Sequence, residues 1–207
     1  MPTFAIEQEF KKPIIGIDEV GRGPLAGPVV SCAFIFFDIN LSDKQLFFID
    51  DSKKLSKKKR KIAIKEIYKL KKQKRIQFSL GMSSVVEIDK FNILEATKLS
   101  MKRVVDKFNL QNPQLIIDGN FSLNYKSYKE QSVIKGDDKS LSIAAASIIA
   151  KVHRDRLMKK LSISYKHFAW EKNAGYGTKI HIENIHRLGP TIHHRKTFEP
   201  IKSLIHS

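Results

Sequence analysis

An apolar run, Ile14-Ile15-Gly16-Ile17, passes directly into two adjacent carboxylates, Asp18 and Glu19, and then through Val20 into a Gly- and Pro-punctuated stretch from Gly21 to Pro28. A run this short is read as a buried strand that carries its acids to the edge of a sheet. Neighbouring side chains on a strand point to opposite faces, so the two acids can share one site only where the strand ends and the backbone bends. Gly21 and Gly23 permit that bend.

The same arrangement recurs twice. Leu115-Ile116-Ile117 is a second short buried run and leads into Asp118-Gly119-Asn120, and Ser132-Val133-Ile134 is a third, leading through Lys135-Gly136 to Asp137-Asp138. Val29 to Phe37 reads as a strand hairpin-linked to the first, and Ile76, Phe78, Leu80 and Met82 alternate with Gln77, Ser79 and Gly81 as in a half-buried strand. Helices are expected after Ser56, with Ile64, Ile67 and Tyr68 on one face, and over the segment carrying Leu94, Thr97, Met101 and Phe108. Others follow from Ser140 or Ser142 through Val152 and near Ile180 to Arg187. Strands separated by helices imply crossover connections, so the fold class is α/β, with a mixed sheet begun by an antiparallel hairpin. Residues 1–207 are expected to form one domain, with roughly 160–207 as a C-terminal helical part.

Charge narrows the partner. With 38 Lys and Arg against 21 Asp and Glu, the chain carries a net charge of +17, which favours a polyanion. Nucleic acid leads, an acidic membrane surface is second, and a Lys-rich compositional bias is the bland alternative. Lone Cys32, in an apolar run, reads as a core thiol, which suits a reducing compartment. No segment approaches a membrane span and the N-terminus lacks a signal-peptide core, so the expected location is the cytoplasm.

Asp18, Glu19, Asp118 and Asp137 sit at separate strand ends that one sheet edge can gather. Four converging carboxylates repel unless hard cations neutralise them, which points to Mg²⁺ or Mn²⁺. Two such ions roughly 3.5–4 Å apart can hold the attacking and leaving oxygens of a phosphoryl transfer. Taken singly, Asp118-Gly119 is also a common turn pair, and Asp137 or Asp138 a helix cap. Gly21, Gly23 and Gly27 imitate a dinucleotide fingerprint, but the third glycine is one place late and Pro24 and Pro28 oppose a helix there. Their backbone could instead approach a sugar-phosphate and read a ribose 2′-hydroxyl. His181, Glu183 and His186 lack metalloprotease spacing, and Cys32 lacks an activating neighbour. Lys53, Lys54, Lys151, Arg154, Arg195 and Lys196 are candidate phosphate contacts.

Six motifs then occur in family order: Asp18 to Val30, Asp51 to Ser56, Ile117 to Asn120, Lys135 to Asp137, Ala144 to Val152 and Gly175 to Thr178. On these the chain resembles bacterial ribonuclease HII along nearly its whole length. The resemblance implies a ribonuclease H-like fold with a C-terminal helical part. It also implies endonucleolytic cleavage of RNA in RNA–DNA hybrids and at ribonucleotides embedded in duplex DNA, with water as nucleophile, on the 5′ side of the ribonucleotide, leaving a 3′-hydroxyl and a 5′-phosphate. By the same resemblance, Asp18, Glu19, Asp118 and Asp137 match the acidic tetrad that holds Mg²⁺ or Mn²⁺. Gly21-Arg22-Gly23 matches the loop that senses the 2′-hydroxyl, and Tyr176 the tyrosine that packs on the junction sugar. Asp138 departs from the pattern, and position within Lys-Gly-Asp selects Asp137 as the metal ligand. The related ribonuclease HIII carries an extra N-terminal domain, for which the lead before Ile14 leaves no room. A monomer is expected.

Overall fold

The computed structural model describes residues 1–10, 13–42, 46–50, 52, 54–126 and 128–206. Its centre is a five-stranded mixed sheet built from β1 (Ile14–Val20), β2 (Val29–Phe36), β3 (Ile76–Ser83), β4 (Gln114–Asp118) and β5 (Lys129–Val133), in the order β3-β2-β1-β4-β5. The β1–β2 and β2–β3 pairs are antiparallel, and the β1–β4 and β4–β5 pairs are parallel. The mixed α/β sheet opened by a hairpin is therefore as expected. One connection is not: parallel β4 and β5 are joined without an intervening helix among the described residues.

Among the described residues, three longer helices flank the sheet, α1 (Lys57–Lys72), α2 (Val85–Val105) and α3 (Leu141–Ser164), and a fourth, α4 (Lys179–Leu188), packs with Met158, Phe168 and Trp170 in the C-terminal part. Ser56 caps α1 by accepting from the Lys59 amide, and Ser140 caps α3 by accepting from the Ile143 amide. On one face of the sheet, Cys32, Phe34 and Phe36 pack with Ile64 and Ile67 of α1 and Ala144 to Ala146 of α3. On the other face, Ile15, Ile17, Leu115 and Ile117 pack on Met101, Val104 and Val105 of α2. Burial of these side chains supplies the main drive for this layering. Helix α3 approaches β1 closely at Gly16, where an added Cβ would lie 2.5 Å from the Ser142 Cβ.

Several local expectations change. Strand β1 does not stop at its acids but continues through Val20, and the bend falls at Gly21, whose φ is +96°. Strand β5 starts at Lys129 and buries only Val133, while Ile134 is 63% exposed, because β5 is an edge strand rather than a buried one. In β3 the alternation is broken: Met82 is exposed, whereas Ser79 is buried and donates to the Val104 carbonyl. Small residues face α2 there because Gly81 leaves no room for a Cβ beside Val104. Helix α2 begins earlier than its apolar spacing suggested, at a capping box between Ser84 and Glu87, and kinks at Asn92, whose φ is +68°. Tyr68 is exposed rather than buried beside Ile67, and packs edge-on against Phe78.

Candidate active site

Parallel pairing of β1 with β4 runs to Ile17 opposite Ile117, so the next residues in register are Asp18 and Asp118. Since Ile14 and Ile116 pack against Ile143 of α3 while Ile15, Ile17, Leu115 and Ile117 face α2, alternation puts both aspartates on the α3 side. The side chain of Asp18 is buried, and its Oδ1 accepts from the Glu19 amide at 2.7 Å. Ser147 of α3 also hydrogen-bonds this carboxylate, and the Ser147 hydroxyl lies 2.8 Å from that of Ser52. Asp118 Oδ1 accepts from the Gly136 amide at 2.7 Å, which ties the end of β4 to the residue just before buried Asp137.

The electrostatics of this edge follow from crowding negative charge into poorly solvated ground. Burial, then the charges of Glu19 and Asp118, push the Asp18 carboxyl well above the usual carboxylate range. Burial raises Glu19 to about 7, with Arg22 pulling down and Asp118 pushing up. Glu19 Oε1 receives the Arg22 guanidinium at 3.4 Å, whereas its Oε2 is buried with no hydrogen-bond partner. An all-oxygen donor set, mutually repelling carboxylates and a buried unpartnered oxygen fit a hard divalent cation. Among the described residues, no three His, Cys, Asp or Glu side chains close into a tight metal-binding cluster. The carboxylates share one edge rather than forming a finished cage.

Asp138 separates cleanly from Asp137. Its half-exposed carboxylate is ion-paired with Lys54, and this hydrogen bond holds it below the usual range. Lys54 is thus engaged with Asp138, and Lys53 lies outside the described residues. The loop bearing Lys54 is pinned from behind by Arg60, which donates to the Ser52 and Leu55 carbonyls.

The stretch from Gly21 to Pro28 is held by two buried arginines, Arg154 and Arg195, which as sequence are candidate phosphate contacts. Arg154 of α3 donates to Pro28, Ala26 and Ala174 carbonyls at 2.9, 3.0 and 2.8 Å. Arg195 donates to the carbonyls of Gly21, Arg22 and Gly27. Both side chains are fully buried and therefore cannot be surface phosphate contacts. Burial pulls them down to about 10 and about 9, the second helped by the Arg154 charge, so both stay protonated near neutral pH. Lys151 pairs with Asp155 at 2.7 Å. Because a trans peptide sets N–H opposite C=O, inward-facing carbonyls at Gly21 and Arg22 turn the amides of Arg22 and Gly23 outward. That makes the exposed tip of the loop a pair of neighbouring donors.

Tyr176 stands against this tip. It is 46% exposed, and a Cβ on Gly23 would lie 3.6 Å from its Cε1. The Leu25 amide donates to the Gly175 carbonyl at 2.8 Å, which interlocks the two loops. The structure thus brings Gly21, Arg22, Gly23 and Tyr176 together, with Asp18 and Glu19 on the strand that feeds the first loop and Asp118 at the end of the neighbouring strand β4.

Comparison with known proteins gives the family. Residues 15–200 match the family model described as Ribonuclease HII. The chain is 48% identical over 203 residues to the Ribonuclease HII of Wolbachia pipientis subsp. Culex pipiens, covering 98% of each chain. It is 50% identical to that of Macrococcus caseolyticus, over 94% of this chain and 69% of the other. Among solved structures, the fold superposes on RNase HII from a PCNA:RNase HII complex of Archaeoglobus fulgidus with a TM-score of 0.72 at 23% identity, covering 90% and 95% of the two chains. It superposes on Bst-RNase HIII in complex with Mn²⁺ with a TM-score of 0.66 at 21% identity, covering 97% and 71%.

Proposed function

The chain belongs to the ribonuclease HII family, and from that premise we propose that it nicks duplex DNA on the 5′ side of an embedded ribonucleotide as well as cleaving the RNA strand of RNA–DNA hybrids. As a family member it is a divalent-metal-dependent endoribonuclease acting on RNA–DNA hybrids. The products of the proposed nick are a 3′-hydroxyl and a 5′-phosphate. What carries the reading is that Asp18 and Asp118 directly follow the paired Ile17 and Ile117 on neighbouring strands, with Tyr176 standing beside Gly23 on the loop that β1 feeds.

Asp18, Glu19, Asp118 and Asp137 would hold Mg²⁺ or Mn²⁺. When bound, such ions neutralise the carboxylates, activate water and stabilise charge on the phosphoryl group. Ser147 and the Glu19 amide fix the orientation of Asp18, and the Gly136 amide fixes that of Asp118. The outward amides of Arg22 and Gly23 suit an oxygen acceptor on the sugar, and the exposed Tyr176 ring offers a flat apolar face to the sugar. The net charge of +17 supports attraction of a nucleic-acid duplex.

The test is a duplex DNA carrying one ribonucleotide, alongside an all-DNA duplex and a long RNA–DNA hybrid. The expected result is a single nick 5′ of the ribonucleotide with Mg²⁺ or Mn²⁺, and no product with EDTA. Equal cutting of the all-DNA duplex, or binding without cleavage when metal is present, would overturn the reading.

A further inference from the structure

Behind Tyr176 lies a buried hydrogen-bond chain whose donor and acceptor roles are fixed by its ends. The Thr191 amide, which can only donate, lies 2.9 Å from His194 Nδ1, so that nitrogen accepts and the His194 proton resides on Nε2. His194 Nε2 is 3.0 Å from His181 Nε2, and the Trp170 indole N–H, also an obligate donor, reaches the same His181 atom at 3.0 Å. His181 Nε2 therefore accepts from both, and its own proton sits on Nδ1, 2.8 Å from the Tyr176 carbonyl oxygen. His181, His194 and Trp170 are all buried, and burial disfavours the charged form of both histidines.

We propose that His181 is a positioning residue for reading the ribonucleotide, setting Tyr176 against Gly23 through the Tyr176 carbonyl. The inference rests on the reading of Tyr176 given above. By donating to that carbonyl, which also accepts from the Thr178 amide at 2.8 Å, His181 helps to fix the peptide that follows the ring-bearing residue, while Arg154 fixes Ala174 two residues before it.

Two substitutions separate anchoring from mere packing. His181→Asn keeps a donor near the Nδ1 position but removes the acceptor for Trp170 and His194. His181→Gln keeps a polar group near the Nε2 position but removes the bond to Tyr176. With kcat/KM measured on a single-ribonucleotide duplex and on a long hybrid, His181→Gln is expected to lower the ratio of the two by roughly three- to tenfold, the effect of one lost hydrogen bond, with the smaller loss of Tm. His181→Asn is expected to keep the ratio and show the larger loss of Tm. A ratio that follows Tm across both variants, or stays constant in both, overturns the proposal. Tyr176→Ala is measured alongside: if it lowers the ratio and His181→Gln does not, His181 alone is misassigned, and if it leaves the ratio unchanged, the role of Tyr176 falls as well.

Discussion

Gly23 and Tyr176 are in near contact, with the glycine's missing side chain leaving 3.6 Å between the position of its Cβ and the ring. The two residues lie far apart in sequence and meet because Leu25 and Ala26 donate to the Gly175 carbonyl. A sugar laid across this pair would meet a peptide edge and an aromatic ring side by side. Tyr176→Ala is expected to reduce kcat/KM on single-ribonucleotide duplexes by about tenfold or more, since burying an aromatic side chain is worth about 1.5–3 kcal/mol. Tyr176→Phe should retain most of it. Equal losses on long hybrids would count against a junction role.

Asp18→Asn and Asp118→Asn should each lower turnover by about a hundredfold or more, because several kcal/mol of charge stabilisation depend on the ligand set. Folding should not suffer. Asn can still accept from the Glu19 amide, and removal of one of the repelling charges raises Tm rather than lowering it. Thermal melts in EDTA, paired with turnover in Mn²⁺, check both halves.

The neighbours Asp137 and Asp138 should behave oppositely. Asp137→Asn is expected to remove turnover, whereas Asp138→Asn, which loses only a half-exposed pairing with Lys54, should stay within about twofold of the parent. Steady-state rates on one hybrid substrate decide between them, and a dead Asp138→Asn with an active Asp137→Asn would reverse the assignment.

Arg195→Met should lower stability by about 3 kcal/mol or more, since buried carbonyls stripped of a donor cost about 1–3 kcal/mol each. Gly21, Arg22 and Gly27 all lose their guanidinium partner. Arg195→Lys should recover only part, lacking the planar fork. Urea denaturation midpoints measure the difference.

Acid should find the histidine pair. Burial, then the charges of His181 and His193, hold His194 down to about 3 from its ordinary 6.5. Burial also lowers His181. An unfolded chain takes up a proton near 6.5 that folded His194 refuses until about 3, so its contribution to stability is intact above that window and is lost as pH falls through it. Melting temperatures from pH 8 to pH 4 should therefore fall more steeply in the parent than in His194→Asn, which keeps an acceptor near the Thr191 amide. Parallel curves would show that the pair is not the titrating element.

Much of the sheet edge was legible because strand-then-acid is a local pattern, visible at Ile17-Asp18 and again at Ile117-Asp118. What brings those aspartates together is the pairing of β1 with β4, a register between segments 100 residues apart that no local pattern encodes. Ile134 misled because an apolar residue at the end of an edge strand looks the same in sequence as one in a core strand. Arg154 and Arg195 misled for a different reason: charged residues are ordinarily surface residues, and these two are buried only because backbone carbonyls satisfy them. A signal existed for Arg154, which falls one turn beyond the small-residue stretch of α3 that enters the core. The histidine relay has no local signature, because His181 pairs not with His186 on its own helix but with His194, which arrives from the following segment.

The two arginines beneath the Gly21–Pro28 stretch leave a lasting mark on how the molecule meets a polyanion. Surface lysines attract through solution, where mobile counterions weaken them as ionic strength rises, but positive charge sealed under a loop is shielded far less. Association with a duplex should therefore divide into a long-range share that vanishes in concentrated salt and a short-range share at the loop that endures, keeping the grip where the backbone is read after the general pull has gone.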